Sequence, residues 1–187
     1  MIQDIAWIDI ETTSGGVYPT PDRRIVEFAS IITDAELNII SELEPIAVAL
    51  DDESVARMPE DVYAMLNHNG VLTRAQRSTT TLEDLDDIWV KFVNSMNMYD
   101  NIVVAGNSVH FDKEAMRKDM PESYARLDSR SIDVSSISEV FSRWRPEVYR
   151  SRPRKVSAHT AGSDIHESLE ELRFFKDFMV SNGMLAL

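Results

Sequence analysis

Asp9 and Glu11 stand two residues apart in the stretch AWIDIETT, among apolar neighbours that favour a β-strand. Side chains along a strand alternate, so both carboxylates fall on one face, where they repel each other and resist leaving water. Something must offset that cost. Asp112 follows the apolar run NIVVA and the sequence Gly106-Asn107-Ser108, while Asp164 comes five residues after His159 in the run HTAGSD. Four carboxylates make the hard-oxygen set that Mg²⁺ or Mn²⁺ prefers. Two such ions ~3.5–4 Å apart can activate a water and stabilise both oxygens of an in-line displacement at phosphorus. A cation between Asp9 and Glu11 would remove their repulsion. His159 adds an imidazole that, near neutral pH, can take a proton from the attacking water.

Spacing alone leaves other readings open. Each acid could be a turn or helix-cap residue, Asp164 above all, and a chain with 32 acidic residues brings some together by chance. A lone histidine in a polar loop is usually just solvated. His68, His110 and His166 have no comparable partner pattern; His166 reads as a helix-surface residue and His110 stays ambiguous.

The elements that must position these groups follow from pattern. Ile5 to Ile10 reads as a strand, and Thr13 to Asp22 as a turn region with Gly15-Gly16 and two prolines. Arg24 to Thr33 and Asn38 to Val48 read as two more strands, antiparallel neighbours joined at Asp34-Ala35-Glu36. Beyond Asp51 the chain turns helical. Pro59 suits the first turn of a helix running towards Leu66, with a break at Gly70. Thr81 to Met96 is the clearest helix, its stripe of Leu82, Leu85, Ile88, Trp89, Phe92, Val93 and Met96 read as core and Thr81 as its cap. Asn101 to Ala105 and Ser131 to Val134 read as short strands. Lys113 to Met120, Ser135 to Arg143 and Ser163 to Ser181 read as helices, the last burying Ile165, Leu169, Leu172, Phe175 and Met179. Three strands and then alternating helices and strands predict an α/β domain with a mixed sheet, each candidate acid at or near the end of an element.

Composition bounds the class. The chain has 187 residues, 43% hydrophobic and 27% charged, which suits one globular domain spanning 1–187. It has no cysteine, which rules out disulfides and thiolate metal sites and suits a reducing cytoplasm. No apolar run is long enough for a membrane span and Met1-Ile2-Gln3-Asp4 lacks a signal peptide's basic start, so a soluble cytoplasmic protein with no membrane partner is expected. A net charge of −13 argues against a broad, sequence-independent binder of duplex nucleic acid, while a small anion on a local cationic patch stays compatible.

Asp9-x-Glu11, Asp112 after a Gly-Asn-Ser loop, and His159-x-x-x-x-Asp164 together resemble the three exonuclease motifs of the DEDD superfamily, histidine variant. Within it the chain is most similar to the oligoribonucleases, 3′-to-5′ exonucleases that finish very short RNAs. The similar segments are WIDIETT, RIVEFASIITDAELNII, AGNSVHFDKEAMRKDMPE, IDVSSISEVFSRWRPE and HTAGSDIHESLEELRFFKDF, which span nearly the whole chain in order. The resemblance implies a ribonuclease H-like fold with a five-stranded sheet ordered 3-2-1-4-5, the first three strands antiparallel. It implies two divalent ions, Mg²⁺ or Mn²⁺, with Asp9 bridging both, Glu11 and Asp164 completing one and Asp112 serving the other. His159 would be the general base, and nucleoside 5′-monophosphates would leave one at a time. Ser108, Arg130 and Ser135 match residues that cap a dinucleotide's 5′ phosphate, a sensible use of a guanidinium and two hydroxyls. Asp133 would support the structure beside the site, Trp144 would pack, and the protein would be a homodimer.

The chain departs from that family where substrate length is set. Glu11 is followed by Thr12-Thr13-Ser14-Gly15-Gly16-Val17 in place of the usual Met-Thr-Gly-Leu, leaving Val17 as a shorter substitute for the wedging leucine. Leu66-Asn67-His68-Asn69-Gly70-Val71 replaces His-Thr-x-Ser-Gly-Leu, so a stacking histidine is missing or displaced to His68. Ser129 stands where an aromatic residue precedes the cap arginine. A basic run of Arg143, Arg145, Arg150, Arg152, Arg154 and Lys155 leads into His159, fit either for substrate phosphates or for balancing nearby acids. The expected substrate is short single-stranded RNA. The rivals are single-stranded DNA and, from another class, a binding subunit whose carboxylates are vestigial.

Overall fold

The computed structural model describes residues 4–14, 23–154 and 159–184. The strands are β1 (Ile5–Thr12), β2 (Ile25–Thr33), β3 (Ile39–Ala47), β4 (Ile102–Gly106) and β5 (Leu127–Asp133). They form one sheet ordered β3-β2-β1-β4-β5, with β1 antiparallel to β2, β2 antiparallel to β3, and β4 parallel to both β1 and β5. The mixed sheet and its order are those expected. The helices are α1 (Asp52–Ala56), α2 (Glu60–His68), α3 (Val71–Arg77), α4 (Leu82–Ser95), α5 (His110–Asp119), α6 (Pro121–Tyr124), α7 (Val134–Trp144), α8 (Pro146–Ser151) and α9 (Ala161–Ser181).

Alternation along β1 splits the core into two layers. Ala6 and Ile8 pack with Leu85, Trp89 and Val93 of α4 and with Ala115 and Met116 of α5. Trp7 faces the other way, onto Ile165, Leu169 and Leu172 of α9. Asp9 and Glu11 continue the Trp7 row, so the carboxylates look towards α9. The Trp7 indole donates to Thr33 Oγ1 at 3.1 Å and the Trp89 indole to Ser30 Oγ at 3.1 Å, which leaves neither buried N–H unpaired.

Thr81 caps α4 in a reciprocal capping box with Asp84, as its position predicted. The break at Gly70 is a single left-handed residue, φ 78°, between α2 and α3. Gly106 ends β4 where an added Cβ would lie 2.8 Å from the Ile8 carbonyl oxygen, so only glycine lets β4 approach β1 there.

Several boundaries move. β1 continues to Thr12, β5 begins at Leu127 rather than Ser131, and α9 begins at Ala161 rather than Ser163. α1, α3, α6 and α8, seven residues or fewer, escaped the sequence reading because none spans enough turns to show a period. Trp144 does not pack: it is 75% exposed. Ile137 and Phe141 form the inner face of α7 against Phe175 and Phe178 of α9, whereas Val140 and Trp144, one turn apart, share the outer face.

Candidate active site

The C-terminal end of β1 gathers the acids from both layers. One carboxylate oxygen each from Asp9, Glu11 and Asp164 lies within 4.8 Å of the other two, a spacing that fits shared coordination of a hard cation. Asp164 reaches the group because Thr160 caps α9, its side chain accepting from the Ser163 N–H, and because the first turn of that helix faces the Trp7 row of β1.

Asp112 arrives from the opposite layer. It sits in the first turn of α5, is buried, and shares with Glu11, Ile10, Phe111 and Arg23 the lining of a cleft of about 60 Å³. Burial pushes its carboxyl well above the usual range and the Glu11 charge adds to this; the backbone N–H groups of Ile10 and Asp112 itself, and more weakly the Arg23 guanidinium, pull it back. Glu11 is pushed up to about 7, first by burial and then by the charges of Asp164 and Glu27. Carboxylates crowded until they resist ionisation are what a divalent cation relieves, and the all-oxygen donor set suits Mg²⁺ or Mn²⁺.

His159 immediately precedes the cap of α9. It is exposed and holds a left-handed backbone, φ 52°, with its carbonyl accepting from the Asn69 side chain. Ser108, also left-handed at φ 52°, lies beside Ser135, their hydroxyls 3.2 Å apart. Asp133 does support them, accepting from the Ser108 N–H at 3.1 Å and capping α7 through the Ser136 N–H. The network runs on, from Ser135 to Asn107 and from Asn107 to Ser168, whose hydroxyl donates to the Asp164 carbonyl at 2.8 Å. Arg130 is exposed on β5, with Asp128 taking its Nε and Nη2 at 3.0 and 2.9 Å. His68 ends α2 and is exposed. Val17 lies outside the described residues, as does Lys155. In the basic run, Arg143, Arg145 and Arg152 are engaged by Glu139, Glu147 and Glu171 respectively. Of the two readings of that run, charge balance accounts for these three arginines.

Two residues of this region escaped the sequence reading. Arg23 is a buried cation beside Asp112, and nothing in its neighbourhood of loop residues marked it. Glu27 is fully buried on β2, directly across from Glu11. Its signal was present: it is the single acid in the apolar run RIVEFASIIT, the same interruption that drew notice at Asp9.

Comparison with known proteins follows the same lines. The exonuclease family RNase_T matches residues 6–172. The chain is 34% identical to an oligoribonuclease of Rhodococcus jostii (strain RHA1) over 94% of its own length and 87% of the relative's. It is 35% identical to a mitochondrial oligoribonuclease of Mus musculus over 95% of its length and 73% of that protein's. Exonuclease I of E. coli, in complex with a dT13 oligonucleotide, shares the fold with a TM-score of 0.67 at 16% identity, covering 96% of this chain and 42% of the other. The chain thus spans about two fifths of that protein's length.

Proposed function

The chain belongs to the RNase_T exonuclease family, and from that premise we propose that it is a histidine-variant DEDD exonuclease. Residues 1–187 act as one domain that takes nucleoside 5′-monophosphates from the 3′ end of short single-stranded RNA. The observation that carries this reading is the meeting of Asp9, Glu11 and Asp164 from β1 and α9, with Asp112 entering the same strand end from the other layer.

Two cations, Mg²⁺ or Mn²⁺, fit the donor set, and when bound they supply positive charge at the scissile phosphate. Asp9, Glu11 and Asp164 would hold one ion, and Asp112 with a share of Asp9 would hold the other. His159 takes the proton of the attacking water, a role its exposed place beside the α9 cap leaves room for. Ser108, Ser135 and Arg130 hold a 5′ phosphate, the guanidinium exchanging Asp128 for phosphate oxygens. Val17 and His68 stand in for the family's wedging leucine and stacking histidine against a substrate base. The protein works as a homodimer in the cytoplasm. No described helix is long and apolar enough to cross a membrane.

A second reading, single-stranded DNA as substrate, draws on one feature of the chain: Ser129 and Leu66 stand where stacking groups for a short RNA would be expected. Matched RNA and DNA oligomers, from dinucleotides upward, incubated with Mn²⁺ and resolved by length, separate the two. Faster loss of the shortest RNAs is expected. Preference for DNA or for long strands overturns the substrate, and no cleavage of either overturns the enzyme.

A further inference from the structure

Glu27 occupies an expensive position. It is fully buried, on the face of β2 that meets α9, and its charge pushes against Glu11 across the β1–β2 ladder. An apolar side chain there would cost the core nothing. What the carboxylate does is join three elements. Its Oε1 accepts from Arg74 Nε at 2.9 Å and from Arg74 Nη2 at 2.6 Å, while its Oε2 accepts at 3.1 Å from the N–H of Ala161, the first residue of α9. Arg74 lies on α3. Just before the start of that short helix Asn69 accepts from the Val71 N–H at 3.1 Å through Oδ1 and donates through Nδ2 to the His159 carbonyl.

The α2–α3 corner therefore reaches the segment 159–161 at two points, directly at His159 through Asn69 and at Ala161 through Glu27, which Arg74 holds, one on each side of the cap residue Thr160. At the first of those contacts His159 keeps φ at 52°, a left-handed backbone that a non-glycine residue holds when its surroundings fix it. We infer that Asn69, Arg74 and Glu27 form a two-point clamp that positions His159 and the start of α9, and so sets the base and Asp164 against the β1 carboxylates. These are positioning residues. The inference rests on the reading of His159 and Asp164 as active-site groups.

The variants are Asn69→Ser, which keeps a hydroxyl to cap α3 and is too short to reach His159, and Arg74→Gln, with Arg74→Lys as the conservative change. Arg74→Gln leaves a buried charge without its cation and risks the fold; Asn69→Ser and Arg74→Lys do not. Two readouts are taken well below each melting temperature. In metal-free protein, amide hydrogen exchange at Ala161 is expected to quicken ~10-fold or more in Arg74→Gln and less in Arg74→Lys, because the carboxylate that accepts that N–H loses its anchor. With Mn²⁺ and a short RNA, kcat is expected to fall ~10–100-fold in Asn69→Ser and Arg74→Gln with KM changed less than ~3-fold. Arg74→Lys should recover part of the rate. Unchanged kcat in folded Asn69→Ser, or unchanged exchange at Ala161 in folded Arg74→Gln (in Arg74→Lys where Arg74→Gln does not fold), overturns the clamp. A His159→Ala protein with wild-type turnover overturns the base reading instead, and leaves the exchange result standing.

Discussion

Replacing Glu11 by Gln in metal-free protein should strengthen the fold, even as it removes a proposed metal ligand. The carboxyl of Glu11 rises from its ordinary 4.5 to about 7 on folding, because burial and the charges of Asp164 and Glu27 oppose its ionisation. A group raised in this way favours the folded state below 4.5, and that contribution disappears as pH climbs through 7. At pH 8 the ionised side chain therefore costs about 3 kcal/mol as an upper bound, since each pH unit of displacement is worth about 1.36 kcal/mol. Glu11 keeps some contact with solvent, so a gain of roughly 1–3 kcal/mol is expected for Glu11→Gln, a melting temperature raised by roughly 3–10 °C in a chain of this size. At pH 4 both states hold the proton and the gain should shrink to a few tenths of a kcal/mol. The assay is urea or thermal unfolding of both proteins in chelator at pH 4 and pH 8. Adding Mn²⁺ at pH 8 should reverse the order, because binding stabilises only the protein that binds, by an amount that grows with ion concentration. A variant less stable than the parent at pH 8, or equally stabilised at pH 4 and pH 8, would refute the account of Glu11 as a strained, cation-seeking carboxylate.

Asp112→Asn should fold normally, since its carboxyl is already held towards the protonated form by burial, and should lose at least ~10³-fold in Mn²⁺-dependent kcat; unchanged turnover would remove Asp112 from the metal set. With Mn²⁺ saturating, His159→Ala should lower kcat ~10²–10⁴-fold. Unchanged turnover in that variant would remove His159 from the base role. Gly106→Ala should cost ~1–3 kcal/mol of unfolding free energy, read by urea titration, because its Cβ meets the Ile8 carbonyl at 2.8 Å. A neutral result would show that β1 and β4 can part at that point.

The amino-acid sequence by itself determined the parts whose signals are local. Alternation in AWIDIETT put two acids on one face, period 3.6 marked α4 and α9, and the capping pattern at Thr81 placed a helix start to the residue. The order of Asp9, Glu11, Asp112, His159 and Asp164, with the segments around them, carried the family and with it the sheet order later found. The tertiary structure decided what depends on partners far along the chain. Only packing shows that Asp112 enters from the α4–α5 layer while Asp164 enters from the α9 layer. Only packing turns Trp144 outward, because Phe141 takes the inner face of α7. Glu27 is the sharpest case: its neighbours in sequence are a strand, whereas its meaning lies in Arg74 and Ala161, 47 and 134 residues away. A residue's type limits the bonds it can make, and the fold chooses which partner arrives to make them.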